Sequence, residues 1–151
     1  MGYTLRPIIE SDLGDILSIA RDRFLDPWSL DNFIYSMNSD LQYSYVAIDN
    51  DLIVGYVILS VIADEAELLD IAVLSEYEGK GVASLMLKSA LEYATRQGAA
   101  KCFLEVRDNN EAAILLYKHY GFEDLYIRKN YYPLYCADAI VMNKSLDTFK
   151  C

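Results

Sequence analysis

Little in this chain suits a metal or a disulfide. The three cysteines, Cys102, Cys136 and Cys151, are scattered and include no CxxC pair. Neither a disulfide framework nor a zinc site is indicated, and reduced thiols in the cytosol are the simplest account. His119 is the only histidine. It stands beside Lys118 at what reads as a helix end, a surface or capping position, so no Ser–His or Cys–His nucleophile can be assembled. Positive charge is short as well. Against 23 Asp and Glu there are 13 Lys and Arg, a net charge of −10, which argues against a nucleic-acid partner held through its phosphates. That acidity serves solubility, or steers a basic peptide or protein towards the surface. No apolar run approaches the ~18 residues of a spanning helix. Met1 to Pro7 lacks the charged-then-apolar order of a signal peptide, and Arg6 stands where myristoylation needs Ser or Thr. Repeats, linkers and low-complexity segments are missing too. The expectation is a cytoplasmic protein without a membrane partner, folded as one domain over residues 1–151 and long enough to bury a core.

What the chain does have is clear periodicity. Tyr3 to Ile8 reads as a first strand. Ser11 or Asp12 would cap a helix carrying Leu13, Ile16, Leu17, Ala20 and Phe24 at helical spacing. Asp26-Pro27-Trp28 breaks it, and Ser29 caps a short second helix, Leu30 to Met37, with Leu30, Phe33, Ile34 and Met37 as its apolar positions. Two β-rich runs, Tyr43 to Ile48 and Leu52 to Ile62, flank the turn cluster Asp49-Asn50-Asp51. After Ala63-Asp64-Glu65 comes the strand Glu67 to Leu74. A long helix follows with Val82, Leu85, Met86 and Tyr93 on one face, Leu87, Leu91 and Ala94 on another, and Gly98 as C-cap. Cys102 to Val106 is a buried-looking strand. Asp108-Asn109-Asn110 caps a helix that runs to Tyr120 and stops at Gly121. Phe122 to Ile127 and Ala137 to Met142 complete the sheet, with Asn130-Tyr131-Tyr132-Pro133 as their connection. One strand, two helices, three antiparallel-type strands, helix, strand, helix and two strands make an α/β (α+β) protein with a mixed sheet covered on both faces.

Between the strand Leu68 to Leu74 and the long helix lies Glu78-Gly79-Lys80-Gly81-Val82-Ala83. Strand, glycine turn and helix aim several backbone N–H groups at an anion, and the glycines let it come close. A plain strand-to-helix turn reads equally well from the hexapeptide alone. It is neither a P-loop nor a dinucleotide fingerprint, because the required glycine and lysine orders are absent.

Glu105 is the first candidate for chemistry. As the one carboxylate in an apolar strand it either points to solvent at the strand end or, partly buried, has its pKa raised towards that of a general base. Asn110 and Tyr117 lie on one face of the following helix. Tyr117 is a core aromatic by spacing, yet a buried phenol wants a hydrogen-bond partner and is able to act as an acid. Trp28, in the connection between the first two helices, reads as a core plug or a ligand contact.

Taken together, Ile71-Ala72-Val73, Glu78 to Ala83, Leu104-Glu105-Val106-Arg107, Asn110, Ala113 to Tyr117 and Gly121-Phe122 resemble the GNAT acetyltransferase superfamily. Asp26-Pro27-Trp28-Ser29, Arg128 to Pro133 and Asp138 to Met142 resemble its branch of RimI-type ribosomal-protein-alanine N-acetyltransferases. The resemblance spans nearly the whole chain. It implies a mostly antiparallel sheet of about seven strands and acetyl-CoA as co-substrate, with no metal. It also implies a protein N-terminus as acceptor, on a basic small-subunit ribosomal protein. Ile71, Ala72 and Val73 match the strand that pairs with pantetheine, and an N–H near Val73 would polarise the thioester carbonyl. Gly79, Lys80, Gly81, Val82, Ala83 and Ser84 match the pyrophosphate loop, and Asn110 a cofactor contact. Glu105 matches the general base and Tyr117 the general acid, while Trp28, Tyr131 and Tyr132 would line the acceptor groove. Glu78 departs from the pattern, since the loop usually opens with Gln or Arg. An inward carboxylate there would repel pyrophosphate unless Lys80 and the backbone amides compensate.

An α-amine, with a pKa near ~8, asks less of a single carboxylate than a lysine near ~10.4. Asp64, Glu65, Glu67 and Asp70 supply negative charge near the cofactor strand for a basic segment. Two other readings stay open: a GNAT enzyme for lysine side chains or a small amine, and a non-catalytic acyl-CoA sensor that keeps the fold.

Overall fold

The computed structural model describes residues 2–146; Cys151 lies outside them. The elements run β1 (Thr4–Pro7), a 3₁₀ turn (Glu10–Asp12), α1 (Leu13–Arg23), α2 (Leu30–Asn38), β2 (Gln42–Asp49), β3 (Leu52–Ile62) and β4 (Glu65–Val73). A second 3₁₀ turn (Ser75–Tyr77) precedes α3 (Val82–Arg96), β5 (Lys101–Arg107), α4 (Glu111–His119), β6 (Glu123–Tyr132), a third 3₁₀ turn (Pro133–Tyr135) and β7 (Ala137–Ser145). The strands form one seven-stranded sheet in the order β1-β2-β3-β4-β5-β7-β6. Its one parallel junction is β4–β5.

Local chemistry explains most boundaries. Asn50 and Asp51 both take positive φ, 49° and 73°, which a tight β2–β3 hairpin needs and short polar side chains tolerate. The Ser29 hydroxyl accepts from the Asn32 N–H at 3.2 Å to start α2. Gly98, at φ +87°, ends α3, and Ala99 N–H returns to the Ala94 carbonyl at 3.0 Å. Gly55 in β3 lets the central strands close up, because a Cβ there would stand 2.9 Å from the Ala72 carbonyl oxygen.

The sheet has a core on each side. α3 and α4 cover one, around Val57, Leu59, Met86, Leu87, Leu104, Tyr117 and Met142. α1 and α2 cover the other, around Ile16, Ile19, Phe33, Val46, Tyr56 and Ile58. Each fully buried side chain of this size contributes about 1.5–3 kcal/mol.

Three expectations need correction. Asp12 makes no side-chain cap to α1. Its carboxylate instead takes two hydrogen bonds from Arg6, at 2.7 and 2.9 Å, and one from the Ile9 N–H at 2.8 Å, because β1 brings the guanidinium within reach. Leu30 does not join the apolar face of α2 but sits exposed in its first turn, and Phe24 lies extended beyond the end of α1, although it still packs against the α1/α2 core. Asn130-Tyr131-Tyr132 is not a connection but the end of β6, which continues past an irregularity where Asn130 takes φ 55°. The Asp138 carboxylate holds that point by accepting from the Asn130 N–H at 2.8 Å.

One irregularity in β4 shapes everything that follows. Ile58 lies opposite Asp70 and Leu59 opposite Leu68, so Leu69 is an extra, bulged residue. Before it, Ala66 and Leu68 face the α3/α4 core; beyond it, Ala72 faces the α1/α2 core.

Candidate active site

β4 and β5 pair only where Glu65–Glu67 meet Lys101–Phe103. Both strands continue, to Val73 and Arg107, without joining again. A cavity of about 550 Å³ opens where they part. The β5-facing backbone of β4 beyond Glu67 therefore has no strand partner, and Ile71, Ala72 and Val73 line the opening as expected. A strand edge of this kind is ready to pair with an extended amide-bearing chain.

At one end stands the glycine loop. Gly79 and Gly81 take φ +75° and +86°, and nothing lies within 4 Å of where their Cβ atoms would be, so backbone conformation and not crowding selects glycine. Gly81 is the N-cap of α3, which leaves the first-turn N–H groups of Val82, Ala83 and Ser84 without helical partners. All three residues line the cavity. Ser84 is also held by the Tyr120 hydroxyl. Lys80 is exposed, with Nζ 5.5 Å over the Tyr77 ring, and is not part of the cavity wall. Glu78 does reach that wall, but its carboxylate is paired with Arg23 from the end of α1. Arg23 also donates to Ser75 Oγ at 2.9 Å. The loop's cation is thus Arg23, a residue that no local pattern in the sequence ties to the loop.

Towards the other end the side chains matter more. Cys102, Leu104 and Val106 fill the α3/α4 core, so Glu105 emerges on the opposite face of β5, into the cavity. Its Oε2 forms an ion pair with Arg128, 2.7 Å from Nε, and the side chain keeps 24% of its exposure. Tyr131 and Tyr132 come from the end of β6. The Tyr131 phenol is exposed and held above its ordinary pKa by hydrogen bonding to the Glu105 carboxylate. Tyr132 lines the cavity, and burial with the nearby Glu105 charge pushes it up to about 12. Glu67 is raised as well, by burial first and then by Glu105.

Tyr117, from α4, is buried at the cavity wall, and desolvation followed by the Asp70 charge pushes its pKa up. It therefore carries its proton throughout the neutral range. Asn110 lines the cavity too while capping α4, its Oδ1 accepting from the Ala113 N–H at 3.3 Å. Trp28 is not brought into the wall; its ring packs on Phe33, centroids 5.2 Å apart, within the α1/α2 core. Asp64 and Glu65 also lie away from the cavity. Sequence reasoning missed Asp26, Tyr135 and Arg23 as wall residues. For Asp70 a signal existed, an acid inside the apolar run Leu68-Leu69-Asp70-Ile71. Cys102 is buried, with its thiol raised to about 12, which suits a core residue and not a nucleophile.

The cavity thus has a strand edge and an amide-lined helix start on one side, and a carboxylate and a protonated phenol on the other. The Acetyltransferase (GNAT) family matches residues 13–122, and the chain belongs to that family and is an N-acetyltransferase. Particular relatives narrow the comparison. The [ribosomal protein bS18]-alanine N-acetyltransferase of Escherichia coli (strain K12) is 33% identical over 141 residues, 92% of this chain and 95% of that one. The protein of that name from Haemophilus influenzae is 34% identical over 122 residues, 81% of this chain and 82% of its own. The crystal structure of the Escherichia coli ribosomal-protein-S18-alanine N-acetyltransferase superposes with a TM-score of 0.90 at 30% identity, covering 99% of this chain and 97% of that one. No helix among the described residues is long and apolar enough to cross a membrane.

Proposed function

We propose that this chain moves the acetyl group of acetyl-CoA onto the α-amine of an N-terminal alanine, on a small-subunit ribosomal protein of the S18 type. The observation that carries the reading is the parted β4–β5 cleft, with its unpaired strand edge at Ile71–Val73 between a helix N-terminus and Glu105. The likeness to the bS18-alanine enzymes over nearly the full chain supports the choice of acceptor. A ribosomal acceptor sets the reaction in the cytoplasm.

GNAT acetyltransferases use acetyl-CoA, which supplies the activated acyl group when bound, and the residues present fit it. The free amides of Val82, Ala83 and Ser84 and the Arg23 guanidinium suit its phosphates, and the β4 edge suits its pantetheine amides. An N–H near Val73 would steady charge on the carbonyl oxygen; losing such a donor costs about 10²–10³ in rate. The acceptor nitrogen forms the new C–N bond as the C–S bond breaks. Glu105 takes the proton the nitrogen sheds, directly or through water, and Tyr117 gives one to the departing sulfur. Arg128 orients Glu105 for that proton transfer. Tyr131 and Tyr132 frame the acceptor beside it, with Trp28 bracing the connection behind.

The test is a mixture of peptides with free N-termini and internal lysines, one beginning with alanine and rich in arginine, incubated with acetyl-CoA. Tandem mass spectrometry should find acetyl on the alanine α-amine. Acetyl on lysine alone would overturn the acceptor assignment, and no acetyl with acetyl-CoA shown to bind would favour a small amine or a sensor.

A further inference from the structure

Asp70 has no part in the steps above, yet it lines the same cavity. The bulge at Leu69 turns it towards the α1/α2 side, where Tyr56 lies on the neighbouring strand. Tyr56 donates its hydroxyl to Asp70 Oδ2 at 2.9 Å. No Lys, Arg or His among the described residues forms an ion pair with this carboxylate. The guanidinium groups around the cavity are engaged elsewhere: Arg23 with Glu78, Arg128 with Glu105, and Arg107 over the Tyr135 ring at 3.9 Å. The titratable groups that do face Asp70 are Tyr56 on β3, Asp26 in the α1–α2 connection and Tyr117 on α4, and none is a cation.

A part-buried carboxylate without a cation is costly unless a ligand supplies one. The acceptor brings one. An α-amine with pKa near ~8 reaches the enzyme at neutral pH mainly as an ammonium. On its way to an amide that nitrogen loses two protons, and Glu105 accounts for one. We propose that Asp70 docks the acceptor ammonium and takes its first proton, breaking an N–H bond and forming an O–H bond, so that Glu105 removes the second during acyl transfer. This role rests on the α-amine acceptor proposed above. The exchange leaves a neutral amine beside a neutral acid, so no net charge stays buried. Asp70 is suited to receive that proton, because burial and Asp26 push it up to about 7, against the lowering effect of Tyr56 and the Ile71 N–H. That is close to the pKa of the amine it must relieve.

The test follows kcat/KM for a peptide beginning with alanine, from pH 6 to 9.5, in wild type, Asp70→Asn and Tyr56→Phe. Only about one tenth of such an amine is neutral at pH 7. Asp70→Asn should therefore be about 10-fold slower than wild type at pH 7 and within about 2-fold at pH 9, where the acceptor arrives deprotonated. A peptide beginning with fluoroalanine, whose amine is less basic, should restore Asp70→Asn at pH 7. Tyr56→Phe removes a hydrogen bond that holds Asp70 down, and should move the acidic limb of the profile to higher pH. Acetyl-CoA affinity and thermal melting report whether each variant is folded; if Asp70→Asn is not, Tyr56→Phe and the fluoroalanine peptide on wild type decide. A deficit equal at every pH, no deficit, or an unmoved limb in Tyr56→Phe overturns the proposal. Wild-type protein that acetylates no α-amine overturns the functional reading itself, a distinguishable result.

Discussion

The two ends of the cavity are built from different materials. The end proposed for the donor is backbone: an unpaired strand edge at Ile71–Val73, two glycines at positive φ and the first turn of α3. The end proposed for the acceptor is side chain: Glu105 and Arg128, Tyr117, Asp70 with Tyr56, and Tyr132. Backbone amides cannot titrate and are reproduced by almost any sequence that makes the turn. Carboxylates and phenols titrate, and their pKa values depend on neighbours drawn from β3, β4, β5, β6, α4 and the α1–α2 connection. Under the proposed function, the donor end would fix affinity for acetyl-CoA, and the acceptor end would fix which amine reacts and at what pH.

Substitutions that separate the two ends sharpen or break this division. The largest effect is expected for Glu105→Gln, which keeps the shape but accepts no proton: acetylation at neutral pH should fall about 10²–10⁴-fold, with an unchanged rate across pH removing Glu105 as base. Gly81→Val comes next. A β-branched residue at φ +86° costs about 1–2 kcal/mol or more, so the melting temperature should fall and KM for acetyl-CoA should rise while KM for the peptide holds. The smallest effect belongs to Arg23→Ala. The pair with Glu78 is largely exposed, with 30% and 57% of the side chains accessible, so stability should change by less than about 1 kcal/mol. KM for acetyl-CoA should rise about 5-fold, because Glu78 is left unneutralised beside the phosphates. Adding Glu78→Gln to that variant should recover most of the loss. A peptide KM that moved with either donor-end variant would break the comparison.

The same division decides what could be read from the sequence. The donor end lies almost entirely within residues 71–84, so strand, glycines and helix start were legible in order, and the seven strands and four helices followed from apolar spacing. Glu105 was found because one acid in an apolar strand stands out; which face it left by became clear only with Cys102, Leu104 and Val106 packed on α3 and α4. Glu78 read as a liability because its partner, Arg23, is distant in the chain and adjacent only in the fold. Asp70 read as general negative charge because a one-residue bulge at Leu69 reverses which face it takes, and simple alternation carries no sign of that. The resemblance puts Trp28 in the acceptor groove, whereas its packing on Phe33 fits the plainer core role.

The most direct measurement of the central claim pairs calorimetric Kd for acetyl-CoA with kcat for the alanine peptide, in wild type, Glu105→Gln and Tyr117→Phe. Kd should stay within about 2-fold of wild type in both variants, while kcat drops by about 10²-fold or more. A Kd that weakens in step with kcat would contradict that claim, because the side-chain end would then be holding the donor and not performing the transfer.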